Sequence, residues 1–142
     1  MTLLCLATGA RWSEAEKLPA NRLQGNVVTY AGTKSGKVRH VPIPPELADR
    51  VRAHWRMHGP FTSCITSFRR ALERTTIQLP QGQASHALRH TFASHFMMNG
   101  GNILTLQKIL GHSTLTMTMR YAHLSPDHLQ EAVKFNPLSR IF

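Results

Sequence analysis

Apolar residues recur along most of the chain at the three- and four-residue spacings of an amphipathic helix. The clearest stripe has Phe61, Ile65, Phe68 and Leu72 at i, i+4, i+7 and i+11, which predicts a helix with one buried face. Other stripes with helical spacing are formed by Leu47, Val51 and Trp55, by Leu88, Phe92 and Phe96, and by Ile103, Leu106, Ile109 and Leu110. The pattern therefore predicts a domain built mostly of helices.

Proline, glycine and asparagine mark the expected ends of these helices. Pro44–Glu46 suits a first helical turn, and Gly59-Pro60 ends the same helix. Asn102 is placed to cap the helix that follows it, and Gly111 is placed as a left-handed C-cap. A last helix is expected from Ser125 to about Val133, because Ser-Pro-Asp resembles a helix start.

The N-terminal segment predicts two further helices and no membrane anchor. Met1 to Ala10 is apolar, but it is too short to span a bilayer and lacks a basic region ahead of it. We interpret it as part of a core helix. Ser13 is expected to cap a short second helix, with Glu16 at the capping-box position and Pro19 as the stop.

Two segments rich in β-branched residues predict a hairpin. Val27–Tyr30 and Val38–Ile43 have strand composition, and Gly32–Lys37 supplies the turn and a basic tip. The fold class expected is therefore α+β: mostly α-helical, with a small antiparallel β-sheet whose hairpin covers about residues 26–43.

The charge balance indicates a partner that is a polyanion. The chain of 142 residues has 17 Lys and Arg against 7 Asp and Glu, a formal net charge of +10, as is typical of nucleic-acid binders. Cys5 and Cys64 form no disulfide framework or CxxC motif, so both are interpreted as apolar thiols in a reducing, cytoplasmic compartment.

Four polar side chains between Ser85 and Leu124 suggest a shared site. His86 and Arg89 are three residues apart, so they lie on one helical face. His112 follows the expected C-cap glycine, and Tyr121 comes nine residues later. Taken singly, each has an ordinary explanation, since an isolated Tyr near a Met is usually a core residue. Their order along the chain is more informative.

HxxR, then Gly-His, then Tyr resembles the catalytic core of the tyrosine recombinases, the phage integrase family. Thr8–Glu14 is similar to the family's TGxRxxE box, which makes Arg11 its first arginine. Lys34 falls where the family keeps a hairpin lysine, counting back from Arg39–Ile43. The resemblance thus implies six catalytic residues: Arg11, Lys34, His86, Arg89, His112 and Tyr121. Glu14 and His90 also recur in the family's boxes, and we interpret both as supports.

The resemblance implies cleavage and rejoining of DNA through a 3′-phosphotyrosine, with no metal and no cofactor. Tyrosine has a pKa of about 10, so its attack needs a base or a strongly cationic pocket. Arg11 and Arg89 would grip the non-bridging phosphate oxygens. His86 would accept the tyrosine proton or bind the phosphate, and His112 would donate to it. Lys34 would be the general acid for the 5′ oxygen.

The expected partners are double-stranded DNA at attachment-type sites and further protomers of the recombinase in a tetrameric synapse. Further candidate DNA-binding residues are Lys37, Arg39, Arg69 and Arg70. Residues 1–142 are expected to form the catalytic domain, with a truncated start and without the family's N-terminal core-binding domain. Residues 125–142 would dock on a neighbouring protomer or fold back on their own domain.

Three alternatives remain open at this point. His86 with His90, or His54 with His58, would form half of a zinc site, but the sequence has no HExxH motif, no third ligand is evident, and the two cysteines are badly spaced for zinc. A type IB topoisomerase-like enzyme would use the same tyrosine chemistry to relax DNA. A non-catalytic DNA-binding module would explain the charge but not a tyrosine among the arginines.

Overall fold

The structure is a computed structural model that describes residues 1–32, 36–129 and 131–140. Its α-helices are α1 (Thr2–Thr8), α2 (Trp12–Glu16), α3 (Pro45–His58), α4 (Ile65–Glu73), α5 (Ala84–Met98), α6 (Ile103–Leu110), α7 (Thr116–Met119) and α8 (Glu131–Phe135). Short 3₁₀ turns lie at Ala20–Arg22, Ala122–Leu124 and Pro137–Arg140. Within the described ranges, no helix is both long and apolar enough to cross a membrane.

One antiparallel sheet supplies the β part of the fold. Its strands are β1 (Leu23–Gln24), β2 (Val27–Tyr30) and β3 (Arg39–Pro42), in that order. The β2–β3 register pairs Val27 with Pro42 and Tyr30 with Arg39. The predicted hairpin and the mostly helical α+β class are therefore confirmed. The hairpin residues 33–35, and with them the candidate general acid Lys34, lie outside the described residues.

The buried apolar residues form two clusters. The larger cluster joins α1, α2, the sheet and α3, with Leu4, Trp12 and Val28 among its members. The smaller cluster consists of Ala93, Met97, Leu106, Leu110 and Tyr121, from α5, α6 and the segment after α7. Phe92 and Phe96 of the predicted α5 stripe pack against this smaller cluster, whereas Leu88 of α5 and Ile109 of α6 pack against the larger one.

Gly9 brings the end of α1 against α5 and α6. It has a positive φ of 62° and ends α1 as a left-handed cap. A Cβ at this position would lie 2.6 Å from Phe92 Cδ1 and 2.7 Å from Leu110 Cδ2, distances that a real side chain does not adopt. The close approach therefore requires glycine, and it places the following residues, including Arg11, beside α5 and α6.

Two of the predicted helix caps can be compared with the structure. Asn102 caps α6 as expected: its Oδ1 accepts hydrogen bonds from the backbone N–H groups of Leu104 (2.9 Å) and Thr105 (3.1 Å). The prediction of Ser13 as the cap of α2 is wrong. The cap is Arg11, whose N–H donates to Glu14 Oε2 at 2.9 Å. Glu14, not Glu16, is therefore the acidic capping residue.

The last predicted helix begins later than expected. Residues 125–129 are not helical, and α8 covers only Glu131–Phe135. The carboxylate of Asp127 accepts a hydrogen bond from the N–H of Leu129 at 3.0 Å. This local side-chain turn competes with a helical start, which explains why the Ser-Pro-Asp signal was misleading.

Candidate active site

Arg89 lies at the centre of the site and joins two helix ends. Its side chain projects from α5 and is only 7% exposed. One terminal nitrogen donates to the carbonyl of Gly9 and the other to the carbonyl of Leu110, both at 2.7 Å. Gly9 lies two residues before Arg11, and Leu110 two residues before His112. The Arg89 guanidinium is therefore fixed between the two segments that carry these candidates.

A chain of charged groups connects Arg11 to the sheet. Arg11 donates to Glu14 Oε1 at 3.1 Å, and Arg39 donates to Glu14 Oε2 at 2.6 Å. Although burial raises the pKa of the Glu14 carboxyl, the backbone N–H of Arg11 and the charges of Arg39 and Arg11 lower it more. The carboxylate therefore stays ionised near neutral pH and holds Arg11 in place.

The position of Arg39 corrects its assignment as a DNA-contacting residue. It is only 4% exposed, donates to the carbonyl of Ile109 at 2.9 Å, and packs over the Tyr30 ring. A Cβ on Gly111 would lie 2.6 Å from Arg39 Cδ, so the C-cap of α6 also closes over this side chain. Arg39 is therefore an interior residue that positions Glu14, and its guanidinium is not available to an external phosphate.

Arg89 lies in a strongly positive environment formed by neighbouring arginines. Burial, followed by the charges of Arg11 and Arg39, lowers the pKa of Arg89 to about 10. Because this pKa is still well above neutral pH, the Arg89 guanidinium stays charged. Three guanidiniums, those of Arg11, Arg39 and Arg89, with the single carboxylate of Glu14 leave an excess of positive charge. Such a site favours an anion with several oxygens, such as a phosphodiester.

His112 is buried and neutral beside these arginines. Burial, together with the charges of Arg89, Arg11, Arg120 and Arg39, lowers its pKa to about 4. Its Nδ1 lies 2.9 Å from the hydroxyl of Thr118, which is fully buried in α7. If Thr118 donates to Nδ1, the single ring proton is on Nε2, where it can be donated to a ligand.

Tyr121 lies in the smaller cluster, with its hydroxyl pointing at α5. It is 6% exposed, and its oxygen lies 2.5 Å from Nδ1 of His90, the residue after Arg89. Burial raises the pKa of Tyr121 more than the charges of Arg120 and Arg89 lower it. The hydroxyl is therefore protonated in this arrangement, although it lies next to the arginine site.

The other candidates that the structure describes are on the surface. His86 is exposed on the first turn of α5, one turn before His90. Lys37 is also exposed, and its Nζ lies 3.5 Å from the carbonyl of His112. Arg69 and Arg70 are exposed on α4. The structure thus brings Arg11, Arg89, His112 and Tyr121 together, with His86 at the edge of the group.

Thr118, which fixes the ring of His112, was not singled out by the sequence analysis. His90 was noted there only as a support, and the structure shows that it binds the Tyr121 hydroxyl. The i, i+4 spacing of His86 and His90 was interpreted as a possible half zinc site. Among the described residues, no group of three or more His, Cys, Asp or Glu side chains is arranged to hold a metal ion.

The fold and this cluster define a protein of the tyrosine recombinase type, and comparisons with known proteins agree. A model of the phage integrase family matches residues 62–128. The solved catalytic domain of the bacteriophage HP1 integrase is 56% identical, covers 97% of this chain and 81% of that chain, and superposes with a TM-score of 0.86. The chain belongs to the phage integrase family.

Two further comparisons give the extent of the similarity. An integrase of Escherichia phage 186 is 58% identical over 138 residues, covering 97% of this chain and 41% of the phage protein. The chain thus spans less than half the length of that relative. The Tn1549 transposon integrase in complex with circular intermediate DNA has a TM-score of 0.67 at 22% identity, covering 99% of this chain and 58% of that chain. That likeness concerns the fold alone.

Proposed function

We propose that residues 1–142 act as the catalytic domain of a tyrosine-type site-specific recombinase. The domain would cleave and rejoin double-stranded DNA through a 3′-phosphotyrosine intermediate, without a metal or nucleotide. One observation carries the proposal: Arg89 is fixed between the Arg11 and His112 segments, while Tyr121 binds the residue next to it. A phosphate-binding site and a nucleophile are therefore adjacent.

The two arginines would bind the scissile phosphate. Each terminal nitrogen of Arg89 carries two N–H groups, and the structure uses one from each for the carbonyls of Gly9 and Leu110. The second N–H of each nitrogen is left for the non-bridging oxygens. Arg11, held by Glu14 and one-third exposed, would supply the other contact. Such preorganised donors are typically worth on the order of 10²–10³ each in rate.

His112 would stabilise the same oxygens as a neutral donor. Its low pKa means that the ring is neutral near neutral pH and keeps a single proton, so it acts as a hydrogen-bond donor through Nε2–H and not as a general acid. His86, which is exposed on the first turn of α5, would also hydrogen-bond the phosphate. Thr118 would hold the tautomer of His112 that makes donation possible.

The reaction itself exchanges one phosphate ester for another. The Tyr121 oxygen attacks phosphorus and loses its proton, while the bond from phosphorus to the 5′ oxygen breaks. The leaving oxygen takes a proton from Lys34, a role that rests on the sequence match alone. Because the phosphotyrosine keeps the ester bond, a 5′ hydroxyl can reverse the steps and no energy source is required.

Duplex DNA is the proposed partner, with binding dominated by phosphate contacts. The net charge of +10 and the exposed Arg69 and Arg70 support this. Lys37 extends the basic surface towards the hairpin. The Tn1549 transposon integrase, which has the same fold, was solved in complex with DNA. We further propose that the protomers assemble as a tetramer on two attachment-type sites.

A nicked duplex that carries attachment-site DNA from the encoding element tests the proposal. After cleavage beside the nick, a short 5′-hydroxyl fragment diffuses away, so the covalent protein–DNA product accumulates. We expect a denaturation-resistant band whose DNA is released by protease. A non-catalytic DNA-binding module would bind the duplex without producing the band. A topoisomerase-like enzyme would produce it on DNA of any sequence and relax supercoiled plasmid without exchange.

Replacing Thr118 tests the role assigned to His112. Thr118→Val keeps the shape of the buried side chain but removes the hydroxyl that binds Nδ1. Losing one such hydrogen bond corresponds to roughly tenfold in rate, so we expect adduct formation to slow about tenfold with unchanged DNA affinity. Thr118→Ser should retain most of the activity.

Thr116→Val is the matched control for this substitution, because Thr116 is exposed on the same short helix. It should cleave at the unsubstituted rate. A Thr118→Val variant as fast as this control would show that the Thr118 hydroxyl does not set the state of His112.

A further inference from the structure

The hydroxyl of Tyr121 has one close hydrogen-bond partner among the described residues, and that partner is a histidine. His90 Nδ1 lies 2.5 Å from the tyrosine oxygen, and the two ring centroids are 5.9 Å apart. His86, to which the sequence analysis gave the role of proton acceptor, is exposed one helical turn away. His90, and not His86, is therefore the histidine in contact with the tyrosine oxygen.

We propose that His90 is the general base that accepts the proton of Tyr121 during strand cleavage, an inference that rests on the function proposed above. The oxygen of Tyr121 forms its bond to phosphorus while its proton passes to Nδ1 of His90. The bond to the 5′ oxygen breaks, and that oxygen takes its proton from Lys34. During religation the 5′ hydroxyl attacks phosphorus and returns its proton to Lys34, while the bond from phosphorus to the tyrosine oxygen breaks and the tyrosine recovers its proton from His90.

The surroundings of both groups suit this transfer. Burial lowers the pKa of His90 below its ordinary value, and the charges of Arg120, His86 and Arg89 act in the same direction. His90 is thus unprotonated near neutral pH and able to accept. Burial raises the pKa of Tyr121, so the nearby arginines alone do not ionise it. The tyrosine therefore needs a proton acceptor in contact with its hydroxyl, and His90 is in that position.

The two other candidate acceptors near the arginines, Glu14 and His112, are already engaged. Oε1 of Glu14 binds Arg11, and Oε2 binds both Arg39 and the backbone N–H of Arg11. His112 directs its Nδ1 towards Thr118. The geometry thus leaves His90 as the group whose free lone pair meets the tyrosine proton, provided that its own ring proton is on Nε2.

His90→Asn is the informative substitution, because the amide oxygen of asparagine can occupy the position of Nδ1 but cannot take a proton. The chain is incubated with a nicked duplex whose scissile 5′ bridging oxygen is replaced by sulfur. This leaving group needs no proton, so Lys34 does not limit the rate. Loss of a general base typically costs 10²–10⁴-fold, and we expect adduct formation at pH 7 to slow on the order of 10²-fold.

The pH profile separates a base from a merely structural group. In the unsubstituted chain the rate should be level above about pH 6.5 and fall at lower pH, as His90 becomes protonated. In His90→Asn the rate should rise with pH as solvent ionises Tyr121, so the defect should shrink steadily towards pH 9. His95→Asn, an exposed substitution on the same helix, should follow the unsubstituted profile.

Three other results would contradict the assignment of His90 as the general base. A defect of the same size at every pH would make His90 structural, and a faster His90→Asn would make the contact an inhibitory one; either result overturns the inference. A His90→Asn variant that forms the adduct as fast as His95→Asn would also overturn the inference. If the unsubstituted chain forms no adduct while Tyr121 remains intact, the proposed function fails first, and the inference fails with it.

Discussion

Tyr121→Phe should abolish the covalent protein–DNA product while leaving DNA binding almost unchanged. The substitution removes one hydroxyl and keeps the ring, which packs in the cluster of Ala93, Met97, Leu106 and Leu110. It also keeps every positive charge that attracts the duplex. Because phenylalanine has no nucleophilic atom, adduct formation should fall by at least about 10⁴-fold, to the limit of detection. The measurement is a time course on the nicked duplex, with affinity from a mobility shift.

The chain contains a natural control for this experiment, since its only other tyrosine is Tyr30. Tyr30 is 2% exposed in the sheet, and its hydroxyl lies 3.1 Å from that of Thr8. Tyr30→Phe should therefore cost about 1 kcal/mol of stability and leave the adduct intact. If Tyr121→Phe still forms the adduct and Tyr30→Phe does not, the nucleophile has been assigned to the wrong residue.

Comparing Tyr121→Phe with Lys34→Ala distinguishes the nucleophile from the proposed general acid. Lys34→Ala should slow cleavage of ordinary DNA, because the 5′ oxygen then leaves without a proton. A bridging sulfur at that position needs none, so it should restore the Lys34→Ala rate and not the Tyr121→Phe rate. Rescue of both variants, or of neither, would show that Lys34 is not the general acid.

The sequence allowed the class of fold and the order of the candidate residues to be predicted, because both depend on local signals. Helical stripes, the capping Asn102 and the hairpin can be identified from neighbours within a few residues. The resemblance to the family likewise rests on short boxes around Arg11, Arg89 and Tyr121. The roles of the catalytic residues remain predictions that the experiments above address.

Contacts between distant segments were not predictable in this way. Arg39 was assigned to the DNA surface because it follows the basic hairpin tip. Its partners Glu14 and Ile109 lie 25 and 70 residues away along the chain. Thr118 belongs to a single helical turn that is too short for a periodic pattern. The hydrogen bond of His90 to Tyr121 joins positions 31 residues apart. Only the tertiary structure reveals these pairings.

Arg89→Lys should reduce cleavage about 10²–10³-fold, although it conserves the charge. A lysine ammonium is a single compact donor group on a flexible stem, whereas Arg89 presents a planar fork. The fork donates to Gly9 and Leu110 at once and still has N–H groups for a phosphate. Lysine cannot satisfy both carbonyls and the phosphate together. The loss should lie in the rate of adduct formation, because conservation of charge preserves affinity for the duplex.

The same change should also lower the free energy of unfolding. A buried carbonyl that loses its donor costs roughly 1–3 kcal/mol, and Gly9 and Leu110 are the ends of two helices that Arg89 holds together. Urea denaturation measures this cost, and the cleavage assay is then run at a temperature where both proteins remain folded. Arg56→Lys, exposed on α3, is the control and should change neither quantity. If folded Arg89→Lys cleaves as fast as Arg56→Lys, the paired geometry of Arg89 is not what stabilises the transition state.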